Sequence, residues 1–226
     1  MRKYFYILVV LFFASKAFSN TAHYKNISKI EMDILRNGEK IGYSNYYFKH
    51  DGNKMEVKNN TEFEVKLLGV KLFYIKSVAI EKYVNDKLVF FKSNTLQNNK
   101  KKYANLKLNE NSNKFIIDGS SYKGKADINN VIGNWWNSKI LSANSQISPL
   151  SGSVKKQNIN LLKKETVIIN GKNYETLRYK LKSKDESLPD DKKLDFDIWL
   201  DPRKELIVKV SYERLGTWEY ILKKVE

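Results

Sequence analysis

From residue 28 onward, apolar and polar residues alternate with a period of two, in runs closed by turn signals. This is the pattern of strands with one wet face. Ile30, Met32 and Ile34 alternate with Glu31 and Asp33, and Asn37-Gly38 follows. That dipeptide suits a two-residue hairpin turn, in which both central residues need positive φ. The turn would pair Ile34 with Ile41 and Met32 with Tyr43, so both apolar sets share a face. At His50-Asp51-Gly52, a three-residue loop with Gly52 left-handed would pair Tyr47 with Met55 and Asn45 with Val57. That register keeps Tyr43, Tyr47, Met55 and Val57 together, whereas a two-residue Asp51-Gly52 turn would exchange the faces.

The alternation continues. Met55, Val57, Phe63, Val65 and Leu67 share one parity, and Gly69 bends the run. Leu72, Tyr74, Val78, Ile80 and Val84 form the next apolar set, expected to face inward. Asn85-Asp86 turns the chain, and the return strand brings Val89 and Phe91. A short pair follows at 103–108 and 114–118. The period then changes. Ile128, Val131, Ile132, Trp135 and Trp136 fall at i, i+3, i+4, i+7 and i+8, one stripe of an amphipathic helix near 127–137 with Asp127 as its N-cap. Residues 138–152 read as loop. Strands resume at 154–160, 165–169, 174–181, 194–200, 206–212 and 218–222, with a turn at Asn170-Gly171 and a charged loop at 183–193. The predicted fold is all-β: a strongly curved antiparallel meander forming a barrel or half-barrel, its one helix packed against the inner face or across an open end.

The N-terminus adds a compartment. Met1-Arg2-Lys3 is a positive head, Tyr4 to Ala14 is an apolar run, and Ala17-Phe18-Ser19 supplies small residues before a cut after Ser19. These are the three parts of a secretory signal peptide. The run is too short to span a bilayer, which takes about 20 apolar residues. Residues 1–19 are therefore set aside as a signal peptide, and 20–226 is expected to fold as one antiparallel β domain, exported to the periplasm and not membrane-spanning after cleavage. The absence of cysteine excludes disulfides, thiol catalysis and a lipidated cysteine.

The formal net charge is +16, and losing the leader's Arg2, Lys3 and Lys16 leaves +13. Such a charge invites a nucleic acid partner, but only 5 of the 41 basic residues are Arg, the residue whose fork reads phosphate and base edges. The lysines are scattered over every strand, so no nucleic acid partner is expected. The segment from Gly119 to Ala126 nearly spells a phosphate-binding loop, but Ala126 stands where the Mg²⁺-binding hydroxyl belongs, so no nucleotide is expected. His23 and His50 have no ligand-spaced partner, and no metal or other cofactor is implied. Asp195, Asp197 and Asp201 share a strand face with Trp199. Three carboxylates there could act in a hydrolase, but Arg178, Lys180 and Lys182 on a neighbouring strand would turn them into cross-strand ion pairs. No catalytic set is assigned, and the chain is read as non-enzymatic. Trp135 and Trp136 are the most unusual pair. A lid over an apolar ligand and a packed plug would bury the same residues, although aromatic stripes mostly pack.

The run from Glu81 to Leu88 with Ser93-Asn94-Thr95, the Trp136-Asn137 pair, Pro149-Leu150-Ser151-Gly152, and Ile198-Trp199-Leu200-Asp201 followed by Leu206 to Lys209 resemble an exported bacterial family of unknown function, numbered 6134. That family is similar to a periplasmic family numbered 3108. The resemblance implies a Gram-negative periplasmic protein with a strongly curved sheet, and it carries over no catalytic residues. Two functions follow as expectations. The first is a protein that binds an apolar or lipid-like ligand in its concave side, with Trp135, Trp136, Tyr43, Tyr47 and Phe91 as candidate contacts. The second is a protein-interaction or structural envelope module with a filled barrel, whose partner would be another envelope protein.

Overall fold

The structure is a computed structural model that describes residues 22–226; the expected leader and its cut after Ser19 lie outside the described residues. Fifteen strands form one sheet. The first eight are β1 (Lys29–Arg36), β2 (Glu39–Asp51), β3 (Lys54–Leu67), β4 (Val70–Val84), β5 (Lys87–Gln97), β6 (Lys100–Asn109), β7 (Lys114–Gly119) and β8 (Lys123–Asp127). The others are β9 (Val131–Ile132), β10 (Ser145–Ile147), β11 (Val154–Ile169), β12 (Lys172–Ser183), β13 (Asp195–Asp201), β14 (Leu206–Glu213) and β15 (Thr217–Val225). Spatially they run β8 to β1, then β15 back to β9. The chain thus starts in the middle of its sheet, where β1 lies between β2 and β15. All pairings are antiparallel except β9 with β10.

The sheet must curl strongly, because β8 and β9 are its two edges and yet are consecutive. Only residues 128–130 separate them. Asp127 and Val131 are four residues apart, so their Cα atoms lie within about 14 Å. The edges do not pair, and the result is a barrel left open along one seam. Residues 148–153 run across that side: Ser121 donates from its backbone to the Ser151 carbonyl, and Ser93 donates to the Pro149 carbonyl. Gly119 permits this approach, since a Cβ there would meet the Ser151 carbonyl at 2.4 Å.

The expected strands and curvature are present, but several registers differ. The Asn37-Gly38 turn forms, with Arg36 opposite Glu39, but a bulge then sets Ile34 opposite Gly42 and Met32 opposite Ser44. Gly42 permits the shift: a Cβ there would lie 2.1 Å from the Glu62 carbonyl and 2.4 Å from the Phe63 Cβ. One inserted residue exchanges the faces of β2. Tyr46 and Phe48 face the core, whereas Tyr43 and Tyr47, each 37% exposed, face outward. At the next turn Asp51 opposes Lys54, so Phe48, not Tyr47, faces this strand's apolar set, opposite Val57.

In β4 the inward set is Ile75, Ser77, Ala79, Glu81 and Tyr83. The more apolar set, Leu72, Tyr74, Val78, Ile80 and Val84, faces outward or sits at the rim, contrary to expectation. The inner face of β3 decides this, by pairing Phe63 with Ile75, Val57 with Glu81 and Met55 with Tyr83.

The expected helix at 127–137 does not form. Asp127 does cap locally, its carboxylate accepting from the backbone of Asn129 at 2.8 Å, but the result is a turn. Val131–Ile132 then pairs with β10, and Gly133 donates to the Ile147 carbonyl. Asn129, Asn130, Asn134 and Asn137, with Gly133 and the β-branched Ile128, Val131 and Ile132, are all poor helix formers. The nearest helical turn is the 3₁₀ turn Ser138–Leu141, capped by the Asn137 side chain.

Candidate ligand-binding site

Buried apolar residues fall into two clusters rather than one. The smaller comprises Ile34, Phe63, Val65, Ile75 and Trp218, with Phe73, Leu150, Tyr212 and Tyr220 packed against it. The larger includes Met32, Tyr46, Phe48, Phe91, Trp135 and Trp136. Between them lies a cavity of about 840 Å³, lined by members of both. That is within the usual size range of ligand pockets, 300–1,000 Å³.

Strand β4 runs the length of this cavity, from Phe73 at the mouth to Glu81 at the deep end. Eight residues of strand span about 26 Å. Phe63, Phe73, Ile75, Leu150, Tyr212 and Tyr220 supply its apolar walls. A polar band crosses the same strands: Ser44, Thr61, Ser77 and Thr95 are successive cross-strand partners on β2 to β5. Ser44 and Thr61 share a 2.7 Å hydrogen bond, the Asn59 amide donates to Ser44 at 3.1 Å, and Ser77 is joined to Thr95 at 2.7 Å. Asp190, Asp191, Lys193, Arg214 and Leu215 stand at the mouth.

The deep end holds a buried carboxyl. Glu81 accepts from the Tyr83 hydroxyl at 2.5 Å, the Asn134 amide at 2.7 Å and the Trp136 indole at 3.0 Å. All three partners are neutral donors. Burial lifts the carboxyl to about 7, against the lowering effect of those bonds. Asn134 spends its amide nitrogen on Glu81, while its Oδ1 is buried with no hydrogen-bond partner. Asn134 lines the cavity. It is the one cavity-lining side chain among the described residues with a buried acceptor left unpaired, and such acceptors are uncommon in folded proteins.

The candidate contacts named from the sequence separate. Trp135 and Phe91 line the cavity. Trp136 is fully buried beneath it, edge-on to Tyr24 at 5.0 Å, Phe48 at 5.3 Å and Tyr83 at 5.8 Å. Trp135 turns the opposite way, to Phe196 at 5.1 Å and Tyr220 at 6.0 Å. The chain bends at both residues and the two side chains point apart, so the indoles never form the single face a helix would give them. Tyr43 and Tyr47 are on the outer surface and do not reach the cavity.

The acidic strand face is ion-paired. Lys180 opposes Asp197, Lys182 opposes Asp195, and Asp197 binds Arg178 at 3.0 Å and Lys180 at 2.9 Å. Asp201 is instead buried and caps the backbone of Arg203. Arg178 and Lys209 lie over Trp199, at 4.8 and 5.1 Å.

Sequence reasoning missed Glu81 and Asn134. The signal for Glu81 was its parity with Ile75, Ala79 and Tyr83, which the stronger apolar alternation of the other face concealed.

The model of the domain-of-unknown-function family DUF6134 matches residues 32–223, and the chain belongs to that family. Comparison with curated proteins finds no match. Among solved structures, the chain is similar to a β-barrel-like protein of the domain of unknown function DUF1849 from Brucella abortus. The likeness has a TM-score of 0.59 at 10% identity and covers 88% of this chain and 96% of that one. A protein with a YmcC-like fold from Bacteroides fragilis aligns with a TM-score of 0.37 at 11% identity, over 88% and 94% of the two chains. At such identities the first likeness is one of fold.

Proposed function

We propose that this DUF6134 protein is an exported, non-enzymatic binding protein of the bacterial envelope that holds a lipid-like amphiphile in the interior of its curved sheet. The cavity carries this reading. It is long, apolar and aromatic toward its mouth, crossed by a band of hydroxyls, and ends beside Asn134 and the buried Glu81 carboxyl. An acyl or polyisoprenoid body fits the walls of Phe63, Phe73, Ile75 and Tyr212. A polar head on that body would lie toward Glu81 and Asn134, reaching Asn134 Oδ1 by a shift of the side chains that cover it. The leader-like N-terminus supports an envelope location.

Native mass spectrometry of protein purified without detergent is expected to show a co-purifying amphiphile. An anthroyloxy-labelled palmitate should bind, and Leu150→Trp should weaken its binding about tenfold or more by filling space at the wall, where roughly 1.5–3 kcal/mol of apolar contact is at stake. Leu150 is on a loop and only half buried, so the fold should tolerate the change. Absence of both a co-purifying mass and probe binding would refute the reading.

A further inference from the structure

The tight turns of this chain provide an internal comparison. Nine described non-glycine residues have positive φ, and six of them are Asn37, Asn85, Asp86, Asn98, Asn113 and Asn170. These are the side chains that tolerate the left-handed region. Two of the other three are leucines, Leu68 and Leu215, each at φ 50°. Both precede a glycine, just as Asn37 and Asn170 do. Leu-Gly therefore replaces Asn-Gly at two hairpin tips. Neither leucine recovers the strain by packing, for Leu68 is 96% exposed and Leu215 is 89% exposed.

Both tips lie at the same end of the barrel. In the antiparallel order β14, β15, β1, β2, β3, β4, the turns β14–β15, β1–β2 and β3–β4 share one end. Thr217 and Asn37 bind one another across two of them. This is the end where the cavity opens: Leu215 and Arg214 line its mouth, and so does Phe73, just after the Leu68 hairpin. Val70 and Leu72 extend the apolar character of that hairpin. Cations surround it. Lys66 and Lys71 flank the tip with one shared partner, Glu64, and Lys100 and Lys101 begin β6 at the adjoining turn.

We infer that the mouth of the barrel docks on a bilayer containing anionic lipid, with Leu68 and Leu215 inserted into the interface. The tips are separated by the intervening strands, so they form no contiguous patch for a rigid protein partner. A fluid surface can accept isolated apolar tips with cations beside them, Lys66 and Lys71 at Leu68 and Arg214 at Leu215, by apolar burial together with attraction to anionic headgroups. The docking stands on the turns; its use, bringing the mouth to the source of an amphiphile, rests on the proposed cavity ligand.

The test uses purified mature protein, its N-terminus verified by intact mass, sedimented with phosphatidylcholine vesicles with and without phosphatidylglycerol. The protein should bind the anionic vesicles. The double variant Leu68→Asn/Leu215→Asn should bind at least tenfold more weakly and melt at an equal or higher temperature, because asparagine suits the left-handed turn. The single variant Leu68→Asn, at the tip that does not line the cavity, should also bind the vesicles more weakly and should still bind the labelled palmitate, which separates failure of docking from failure of the cavity reading. No binding of the natural protein to anionic vesicles would overturn the inference. So would equal binding by the double variant, since charge alone would then account for it.

Discussion

Glu81 occupies an inward position of β4, on the same face as Ile75, Ser77, Ala79 and Tyr83. Burial raises its carboxyl from the ordinary value of 4.5 to about 7, so the folded state takes up a proton more readily than the unfolded chain. A raised carboxyl stabilises the fold at low pH, and stability declines as pH rises through roughly 4.5 to 7. The full difference is on the order of 3 kcal/mol. Carboxylates paired with lysine on the outer face, such as Glu64, Glu165 and Asp118, are held below their usual values and titrate beneath this window. The melting temperature of the natural protein is therefore expected to fall between pH 5 and pH 8. Glu81→Gln should flatten that dependence while still accepting from the Trp136 indole. An unchanged slope in the variant would show that Glu81 does not titrate in this range.

Among elements, β2 is decided by a single insertion. Its alternation favours Tyr43 and Tyr47 inward, but the bulge after the Asn37-Gly38 turn gives the core to Ser44, Tyr46 and Phe48. Gly42 is the residue that tolerates it, lying against the backbone and Cβ of β3. Gly42→Ala would push the two strands apart at the upper edge of the smaller core cluster. A loss of about 1–3 kcal/mol is expected, the usual cost of overpacking, measurable by urea unfolding. The segment 128–137 shows the opposite failure of pattern. Its apolar spacing is helical, yet the Asn130 and Asn137 side chains bond to the nearby backbone and Gly133 lets it lie along β10. The pairing and the local hydrogen bonds outweigh a periodicity that five residues happen to satisfy.

For the whole molecule, the open seam raises the question of what keeps β8 from recruiting another chain. An edge strand is a template for pairing, and lysines on it oppose that. β8 carries Lys123 and Lys125, both exposed, on a strand of five residues. Lys123→Val/Lys125→Val should promote association through this edge, visible as larger species in light scattering, with little change in the monomer's melting temperature. Outer-face ion pairs such as Lys123 with Asp118 contribute little by themselves, so the lysines matter here for solubility.

Turn chemistry and period-two alternation suffice for the antiparallel meander, most hairpin positions, the inner face of β3 and the cross-strand pairing of Asp197 with Arg178 and Lys180. These are local properties, written in neighbouring residues. Which face of β2 and β4 is buried depends on bulges and on partner strands, and there the more apolar parity lost. The reason is physical: the interior is a cavity with a polar stripe, so Ser77 and Glu81 belong inside, while Val78 can stand in the open. That Glu81, Asn134 and Trp135 meet at the end of one cavity, and that two leucine-tipped turns flank its mouth, follows from the closure of a fifteen-strand sheet. Sequence separation conceals such meetings, because residues 50 to 150 positions apart become neighbours only once the sheet has curled.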